Sequence, residues 1–369
     1  MLAAVLNAFG EKLEIADLEL APPGPGEVEV AIRASGVCHS DWKTISGATP
    51  SVMPAVLGHE GAGVVERVGD GVEDLRPGDR VVLSWLPACS RCRQCRSGRP
   101  NLCEAADAAM FAGTLLDGSI RLSRGGAAVH HYSLLSTFAE RAVVPAASCV
   151  KIRDDVPLTV AALVGCAVTT GIGAVVRRAR VEAGSTAVVF GAGGVGLSVV
   201  QGCHLAGAAA IAVVDPVEAK RRTARELGAT HAFDPAADDP VAAVCELTHG
   251  GADYGFEAAG IPAVMRQTFE AVRRGGTVVY IGLPDEGASV ALPGSEVVRG
   301  ERIVTGSYYG STSAADDMPA ILDLYAAGRL DLDRLVSRTY RLEEINEAFA
   351  DMLAGRVARG VITFDGADA

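Results

Sequence analysis

The chain has 369 residues, of which 49% are hydrophobic and 21% are charged, and its formal net charge is −12. This length predicts about two domains, and the composition is typical of a soluble globular protein. The acidic balance disfavours nucleic acid or an anionic membrane as a partner, because both require basic surfaces. The first residues lack the pattern of a signal peptide and no segment is expected to span a bilayer, so a cytoplasmic location is predicted.

The first part of the chain is predicted to form an irregular or barrel-like β domain. Runs rich in β-branched residues at 28–37, 60–69 and 79–85 alternate with turn clusters rich in proline, glycine and aspartate. A long polar stretch follows these runs, and strand character returns at 136–145.

Four cysteines, Cys89, Cys92, Cys95 and Cys103, stand close together in the run CSRCRQCRSGRPNLC. They cannot all pair with one another without strain, but they can converge on one tetrahedral Zn²⁺ with each sulfur about 2.3 Å from the metal. The alternative is a set of buried or disulfide-paired cysteines, which a long chain without signs of secretion disfavours. A closed four-cysteine site is structural, so the run predicts a loop held by zinc.

A second set of ligand-type residues lies in glycine-rich, apolar sequence. Cys38 stands in GVCHSDW, His59 and Glu60 in LGHEGAG, and Cys166 in VGCAVTTG. Two cysteines and one histidine give Zn²⁺ three protein ligands and leave the fourth position open, which is the pattern of a catalytic site. The cysteines outside both sets are expected to pack as small buried hydrophobes: Cys149, Cys203 and Cys245.

From about residue 157 the pattern changes to alternating helices and strands. A helical run at 156–179 leads into a strand, a glycine turn, a helix and a strand at 185–215, and short helices and strands then alternate to residue 283. This alternation indicates a parallel sheet covered on both faces. The tail predicts two amphipathic helices and a last strand at 359–364, which is expected to return to the first domain.

The glycine turn FGAGGVG places Gly191, Gly193 and Gly196 in G-x-G-x-x-G spacing, with Gly194 and Val195 between them. It follows the apolar strand TAVVF and opens a helix, as the dinucleotide-binding motif requires. The glycines allow the turn, a close approach of the pyrophosphate and tight helix packing, and the helix N-terminus offers free N–H groups to the phosphates. The alternative is a glycine turn in a sheet protein that binds no nucleotide.

An acidic residue follows at the offset that such a site requires. Asp215 ends the next strand, near the spacing of about 20 residues expected for the acid that binds the ribose hydroxyls. A carboxylate there would repel the extra phosphate of NADP, so NAD is the predicted cofactor. Lys220 is a further candidate for contact with the same ribose.

Together these motifs resemble the zinc-dependent medium-chain alcohol dehydrogenase family, in the family's order and over nearly the whole chain. The long segment between Cys103 and Cys166, with GTLLDGSIRL and STFAERAVVP, looks like the animal-type and formaldehyde-dehydrogenase-like branch. The resemblance implies an α/β protein with a GroES-like β domain over 1–167 and 308–369 and a Rossmann domain over 168–307. It also implies an active site in the cleft between them and a dimer or tetramer, with the edge strand near 302–308 as the contact.

By this resemblance, Cys38, His59 and Cys166 bind the catalytic zinc, and Glu60 is a transient ligand. Asp41 is expected to orient the ring of His59, as carboxylates behind zinc-bound histidines do. Without the resemblance, Asp41 would equally suit a turn or a helix N-cap.

The resemblance also assigns residues to the proton and to the cofactor. Ser40 is expected to accept the substrate proton, although a serine there could equally cap a helix. His39 and Arg359 are expected near the pyrophosphate and Thr170 beside the nicotinamide. Taken alone, Arg359 would be interpreted as a solvated surface arginine.

Two positions depart from the family pattern. Lys43 stands where animal-type members carry a histidine that ends the proton relay. A lysine there could relay the proton through water, could be replaced by direct solvent access, or could be a plain surface charge. Asp107 stands where glutathione-dependent formaldehyde dehydrogenases carry an arginine that binds the substrate carboxylate. An aspartate would repel that group, which argues against the glutathione adduct as substrate.

The implied reaction is hydride transfer between an alcohol and NAD, with zinc activating the alcohol oxygen and Ser40 passing the proton outward. The residues expected to line an apolar pocket are Trp85, Phe138, Leu283 and Tyr308. Each of them is individually typical of ordinary packing. Trp85 would narrow the pocket, which favours primary or aromatic alcohols. Two other functions remain: a nicotinoprotein-type alcohol dehydrogenase or aldehyde dismutase with tightly held NAD, and a non-catalytic scaffold that binds zinc and NAD.

Overall fold

A computed structural model describes residues 1–367, which form two compact units. The first unit contains Met1–Cys166, Ser313–Ala327 and the chain from Val336 onward, and the second contains Ala167–Thr312 and Gly328–Leu335. The first observed boundary lies one residue from the predicted one. Residues 308–312 and 328–335 belong to the second unit, whereas the sequence analysis assigned them to the first.

The elements are numbered in chain order over the described residues. The strands β1 to β19 are Leu2–Leu6, Glu14–Asp17, Glu19–Leu20, Glu27–Gly36, Ala55–Val56, Gly61–Val68, Arg80–Leu83, Leu122–Arg124, Ala127–His131, Arg141–Pro145, Cys149–Lys151, Thr186–Phe190, Ala210–Val214, His231–Phe233, Ala252–Glu257, Val272–Tyr280, Ile303–Gly306, Val336–Tyr340 and Arg359–Thr363.

The helices α1 to α12 are His39–Ile45, Arg93–Arg96, Glu104–Ala112, Leu158–Leu163, Thr169–Gly173, Gly194–Leu205, Glu218–Glu226, Pro240–Leu247, Pro262–Glu270, Gly294–Gly300, Ala314–Ala326 and Ile345–Leu353. Short 3₁₀ turns occupy Pro100–Leu102, Ala146–Ser148, Tyr309–Ser311, Asp333–Leu335 and Leu342–Glu344. The helical stretch that contains α4 and α5 includes π-helical turns at Val164–Val168 and Ala174–Ala179.

The first unit is built on two β-sheets, with strand orders β2-β1-β5-β9-β8-β3 and β11-β7-β6-β4-β19-β18, and β10 pairs with β4. The runs at 28–37, 60–69 and 79–85 form β4, β6 and β7, which are antiparallel neighbours. All but one residue of β4 are buried, including Glu27 and Glu29. β19 pairs antiparallel with β4, so the last strand returns to the first unit as predicted.

The second unit contains a parallel sheet with the strand order β14-β13-β12-β15-β16-β17. Counted from β12, this is the order 3-2-1-4-5-6 of a doubly wound dinucleotide-binding fold. Val188 and Phe190 on β12, with Ala212 and Val214 on β13, form part of its buried core. The predicted Rossmann-type fold is therefore confirmed.

One helical stretch bears on the expectation that no segment spans a bilayer. The helical stretch Leu158–Ala179 has 22 residues and a mean hydropathy of 2.0, so by length and composition it could cross a bilayer. Of the window tested, 89% is buried inside the protein. The core helix of a soluble protein has the same properties, so this stretch is weak evidence for a membrane span.

His131 on β9 is held neutral by its surroundings. Its Nε2 atom accepts a hydrogen bond from the backbone N–H of Arg121 at 3.1 Å, and Nδ1 lies 3.4 Å from the Ser136 hydroxyl. The ring is 1% exposed. Burial, with the nearby Arg121 charge, lowers the pKa of His131 to about 3.

The depressed pKa of His131 predicts acid sensitivity. Below pH 6.5 the unfolded chain takes up a proton that the folded protein refuses, so stability falls as the pH drops towards the folded pKa. His131→Gln should therefore remove roughly 1.4 kcal/mol per pH unit from the slope of unfolding free energy between about pH 6 and pH 4. Urea unfolding across this range measures the slope. The control is His231→Gln, which changes an exposed histidine in the same way. A slope in His131→Gln equal to that of the wild type would contradict the prediction.

Candidate active site

The first cysteine cluster has the dimensions of a zinc site. The sulfur atoms of Cys89, Cys92, Cys95 and Cys103 all lie within 4.8 Å of one another. Four sulfurs around a tetrahedral zinc would be separated by about 3.8 Å, given bonds of about 2.3 Å. The predicted ligands therefore converge at a distance that one ion could bridge.

Backbone N–H groups in this loop point at the sulfurs. Cys92 donates to Cys89 Sγ at 3.3 Å, Cys95 to Cys92 Sγ at 3.4 Å, and Cys89 to Cys103 Sγ at 3.3 Å. A hydrogen bond from the backbone N–H of Arg91 is the main reason why the pKa of Cys89 falls to about 6. The loop thus favours thiolate, the form that binds metal, at Cys89, whereas burial raises the pKa of Cys95 to about 12.

The second set of predicted ligands, which lies in the first unit, also converges on one point. The ligand atoms of Cys38, His59, Glu60 and Cys166 lie within 4.8 Å of one another, and all four residues are buried. A hydrogen bond between the two thiols lowers the pKa of Cys38 well below its usual value and raises that of Cys166 well above it. Both thiolates can coexist only beside a cation, so this donor set fits zinc.

Three separate segments deliver these side chains. Cys38 follows β4 and precedes the first turn of α1, and His59 and Glu60 immediately precede β6, the antiparallel neighbour of β4. Cys166 stands in the π-helical turn Val164–Val168. Such turns often occur at functional sites, because the wider backbone changes the direction of a side chain.

Asp41 lies behind His59, as predicted. Its Oδ1 atom is 3.0 Å from His59 Nδ1, and the carboxylate also accepts N–H bonds from Gly58 at 3.2 Å and from Cys38 at 3.3 Å. Burial opposes a charge on His59, but the carboxylate of Asp41 and the thiol of Cys38 outweigh it and raise the pKa of His59. Because Nδ1 donates to Asp41, Nε2 is the nitrogen left for a metal.

Glu60 and Arg359 form a buried ion pair beside the thiols. Arg359 is 5% exposed, so the interpretation as a solvated surface arginine is wrong. Glu60 Oε1 is buried and has no hydrogen-bond partner among the described residues, and burial raises the pKa of Glu60 to about 7. An unpartnered carboxylate oxygen beside two thiols and an imidazole fits a cation. A contact between Arg359 and phosphates stays a prediction.

Ser40 is held by two residues that the sequence analysis did not find. Its hydroxyl lies 3.8 Å from Cys38 Sγ, and its carbonyl oxygen accepts a hydrogen bond from the Tyr132 hydroxyl at 3.3 Å. The Thr44 hydroxyl donates to the Tyr132 hydroxyl at 3.2 Å. The Tyr132 ring stands edge-on to His59, with centroids 5.9 Å apart. No motif marks Tyr132 or Thr44, since both act through contacts that only the folded chain creates.

In the second unit, the glycine turn has the expected geometry. Gly191 has φ +93°, Gly193 precedes α6, and Gly194, Val195 and Gly196 begin that helix. A Cβ atom at Gly193 would meet no protein atom within 4 Å, whereas one at Gly196 would collide with the carbonyl oxygen of Gly191. The turn is therefore open where a pyrophosphate would lie and closed where the helix packs, which fits a dinucleotide.

Asp215 lies directly beside this turn. One carboxylate oxygen accepts the N–H of Ala192 at 2.8 Å and the other accepts the N–H of Val217 at 2.8 Å. Each carboxylate oxygen has two lone pairs, so one on each remains for the two ribose hydroxyls.

Comparisons with known proteins agree with these sites. A family described as alcohol dehydrogenase GroES-like domain matches residues 24–154, and one described as zinc-binding dehydrogenase matches residues 194–327. The chain is 45% identical to the NDMA-dependent alcohol dehydrogenase of Amycolatopsis methanolica, over 98% of both chains. It is 40% identical to the S-(hydroxymethyl)glutathione dehydrogenase of Paracoccus denitrificans, over 98% of this chain and 99% of that one.

This chain belongs to the zinc-dependent medium-chain alcohol dehydrogenase family. The solved benzyl alcohol dehydrogenase of Acinetobacter calcoaceticus is 34% identical and superposes with a TM-score of 0.94, over 98% of this chain and 99% of that one. The protein is accordingly an enzyme, a zinc alcohol oxidoreductase that uses a nicotinamide cofactor. The resemblance drawn from the sequence is confirmed.

The remaining residues predicted for the cofactor, the proton route or the substrate of this dehydrogenase are placed as follows. His39 is exposed at the first position of α1, and Lys43 is half-buried in the same helix. In the second unit, Thr170 is 8% exposed in α5, and Lys220 is half-buried in α7. Asp107 is exposed in α3. The roles assigned to these residues stay predictions.

The predicted pocket residues of the enzyme divide into three groups. Trp85 stands edge-on to His59, with ring centroids 6.3 Å apart, so it lies at the metal site. Phe138 is fully buried and packs edge-on against Phe349 in the hydrophobic core, and its assignment to the pocket stays a prediction. An aromatic residue in an apolar run cannot be assigned to core or pocket by composition. Leu283 and Tyr308 lie in the second unit and stay predictions.

Proposed function

We propose that this enzyme interconverts primary or aromatic alcohols and their aldehydes with NAD, and that it holds two zinc ions per chain. The observation that carries the proposal is the convergence of buried Cys38, His59 and Cys166, with Asp41 behind the histidine and an unpartnered Glu60 oxygen beside it. Three such ligands suit a zinc ion with one open position.

Each residue of the site has a part in this proposal. The chemistry available when zinc and NAD are bound is activation of an alcohol oxygen and acceptance of its hydride. Cys38, His59 and Cys166 would hold the metal, and Asp41 keeps Nε2 of His59 directed towards it. Ser40, whose hydroxyl lies 3.8 Å from Cys38 Sγ, would accept the substrate proton.

The preference for NAD is supported by Asp215. Its carboxylate retains lone pairs for the ribose hydroxyls, and its charge would repel a phosphate on the same ribose. The preference for primary or aromatic alcohols is supported by Trp85, whose indole narrows the space near His59. The benzyl alcohol dehydrogenase of Acinetobacter calcoaceticus, a structural relative, points to the same substrate class.

The proposal is tested by an alcohol panel together with metal analysis. Benzyl alcohol should be oxidised with a kcat/KM at least about tenfold above that of a bulky secondary alcohol, because a pocket discriminates by steric exclusion. NAD should support faster turnover than NADP, and elemental analysis should find two zinc ions per chain. A preference for the secondary alcohol or for NADP, or a single zinc ion, would refute the corresponding part.

A second candidate function is an alcohol dehydrogenase that holds its NAD permanently. It is favoured by the 45% identical Amycolatopsis enzyme, whose name gives its dependence on NDMA. Ultraviolet absorbance of the purified protein would reveal a retained cofactor. Alcohol oxidation with NDMA and no added NAD would support this candidate, and turnover that requires added NAD would exclude it.

The enzyme is further proposed to be a cytoplasmic homodimer or homotetramer in which β17 forms the contact. Within the described residues, β17 ends the strand order of its sheet, and Ile303 on it is 58% exposed. Val298 on the preceding helix is 76% exposed. Light scattering that gave the mass of one 37.9 kDa chain would contradict the assembly.

A further inference from the structure

We propose that Arg221 is a positioning residue that fixes Asp215 in place, and that it thereby sets the affinity of the enzyme for NAD and its discrimination against NADP. The inference rests on the proposed use of NAD. It concerns a residue for which neither the motif spacing nor the family resemblance provided a role.

Arg221 is a buried arginine with three anchored contacts. Its side chain is 8% exposed. Nη1 donates to the carbonyl oxygen of Asp215 at 2.6 Å, and Nη2 donates to Glu218 at 2.6 Å and lies 3.0 Å from Asp234. Because a guanidinium is rarely buried unless it is paired, these contacts define one position for the side chain.

These contacts connect the ends of two neighbouring strands. Asp215 follows β13 and Asp234 follows β14, and the two strands are parallel neighbours in the sheet. Arg221 stands in the first turns of α7 and reaches both strand ends. In such a sheet, nucleotides bind at the carboxyl ends of the parallel strands.

The result is a carboxylate that is fixed before any ligand arrives. The side chain of Asp215 is held by the N–H groups of Ala192 and Val217, and its main chain is held by Arg221. A group that is already ordered loses less conformational freedom on binding, so the ribose hydroxyls meet a preorganised acceptor.

The same contacts make Arg221 unsuitable as a phosphate ligand. Sites that accept NADP commonly use an arginine near this acid to bind the extra phosphate. Here the guanidinium is shared between Glu218, Asp234 and the Asp215 carbonyl, so its donors are directed into the protein. The carboxylates of Glu218 and Asp234 contact this buried cation, and the carboxylate of Asp215 lies beside the glycine turn, so a phosphate on the ribose would be repelled by Asp215.

The test is the substitution Arg221→Met, which keeps the length and apolar stem of the side chain and removes its donors. Calorimetric titration should give a dissociation constant for NAD about tenfold higher than in the wild type. The kcat at saturating NAD should stay within about threefold, because Arg221 does not touch the reacting atoms. The ratio of kcat/KM for NADP to that for NAD should rise.

The matched control is Arg222→Met, which makes the same substitution at the adjacent, exposed arginine. It should leave the affinity and the cofactor ratio unchanged. A second variant, Glu218→Gln with Asp234→Asn, keeps Arg221 but frees its donors, and it should raise the affinity for NADP. This variant keeps the proposal testable should Arg221→Met fail to fold.

The results of these experiments distinguish a failure of the proposed function from a failure of the role proposed for Arg221. A wild-type enzyme that binds neither NAD nor NADP would refute the proposed function itself. A wild type that binds NAD, with Arg221→Met binding it equally well and with the same cofactor ratio, would overturn only the role of Arg221. Equal losses in Arg221→Met and Arg222→Met would overturn it too, because the effect would then follow net charge and not position.

Discussion

Cys38→Ser is expected to lower kcat for alcohol oxidation by at least about 10⁴-fold, while NAD still binds. A serine hydroxyl is not ionised near neutral pH, so the site loses an anionic ligand and its hold on the metal that activates the alcohol oxygen. A loss of this size corresponds to roughly 5–6 kcal/mol of transition-state stabilisation. Steady-state kinetics and calorimetric titration with NAD measure the two effects.

Cys38→Ser should remove the thiolate ligand without disturbing the local fold. Asp41 bonds to the backbone N–H of Cys38, and this bond does not involve the thiol. The turn that begins α1 should therefore persist in the variant, and so should the contact between Asp41 and His59.

The matched control for this prediction is Cys245→Ser, which makes the same change at a half-buried cysteine of the second unit. It should keep full activity. Unchanged turnover in Cys38→Ser would refute the proposed metal role of this residue, and an equal loss in Cys245→Ser would point to a general effect of cysteine substitution.

Cys103→Ser is expected to remove one of two zinc ions and to destabilise the loop from Cys89 to Cys103. This loop contains α2, a helix of four residues without a buried side chain, and Cys103 is its fully buried cysteine. With so little apolar surface to bury, the loop is expected to depend on the proposed zinc ion for its order. Structural zinc sites bind with apparent free energies on the order of 10 kcal/mol, so the loss should exceed that of an ordinary core substitution.

Limited proteolysis gives this prediction a local readout. The loop carries the exposed arginines Arg91, Arg93 and Arg96, so trypsin should cleave it rapidly once the metal is lost. Elemental analysis should fall from two zinc ions per chain to one. Cys149→Ser, in a half-buried position of the same unit, is the control and should keep both ions. A Cys103→Ser protein that retained two zinc ions and wild-type resistance to trypsin would contradict the prediction.

The sequence by itself determined those features whose parts lie close together along the chain. The spacing from Cys89 to Cys103 fits one ion because a short loop can bring four thiols together. The turn from Gly191 to Gly196 and the offset to Asp215 predicted a dinucleotide site for the same reason, since a strand, a turn and a helix fix their relative positions.

Sequence also indicated the second metal site, although its residues are far apart. Cys38, His59 and Cys166 are ionisable residues in apolar, glycine-rich surroundings, and such residues require a reason for their burial. The family resemblance supplied the remaining information, namely that these segments meet.

Only the tertiary structure decided contacts that depend on strand register and on the path of the chain. Arg359 pairs with Glu60 across 299 residues because β19 runs beside β4, and no local pattern contains that pairing. Arg221 likewise meets Asp234 only because β13 and β14 are neighbours. Periodicity and spacing specify which face a residue occupies, whereas the partner opposite that face is set by packing between distant segments.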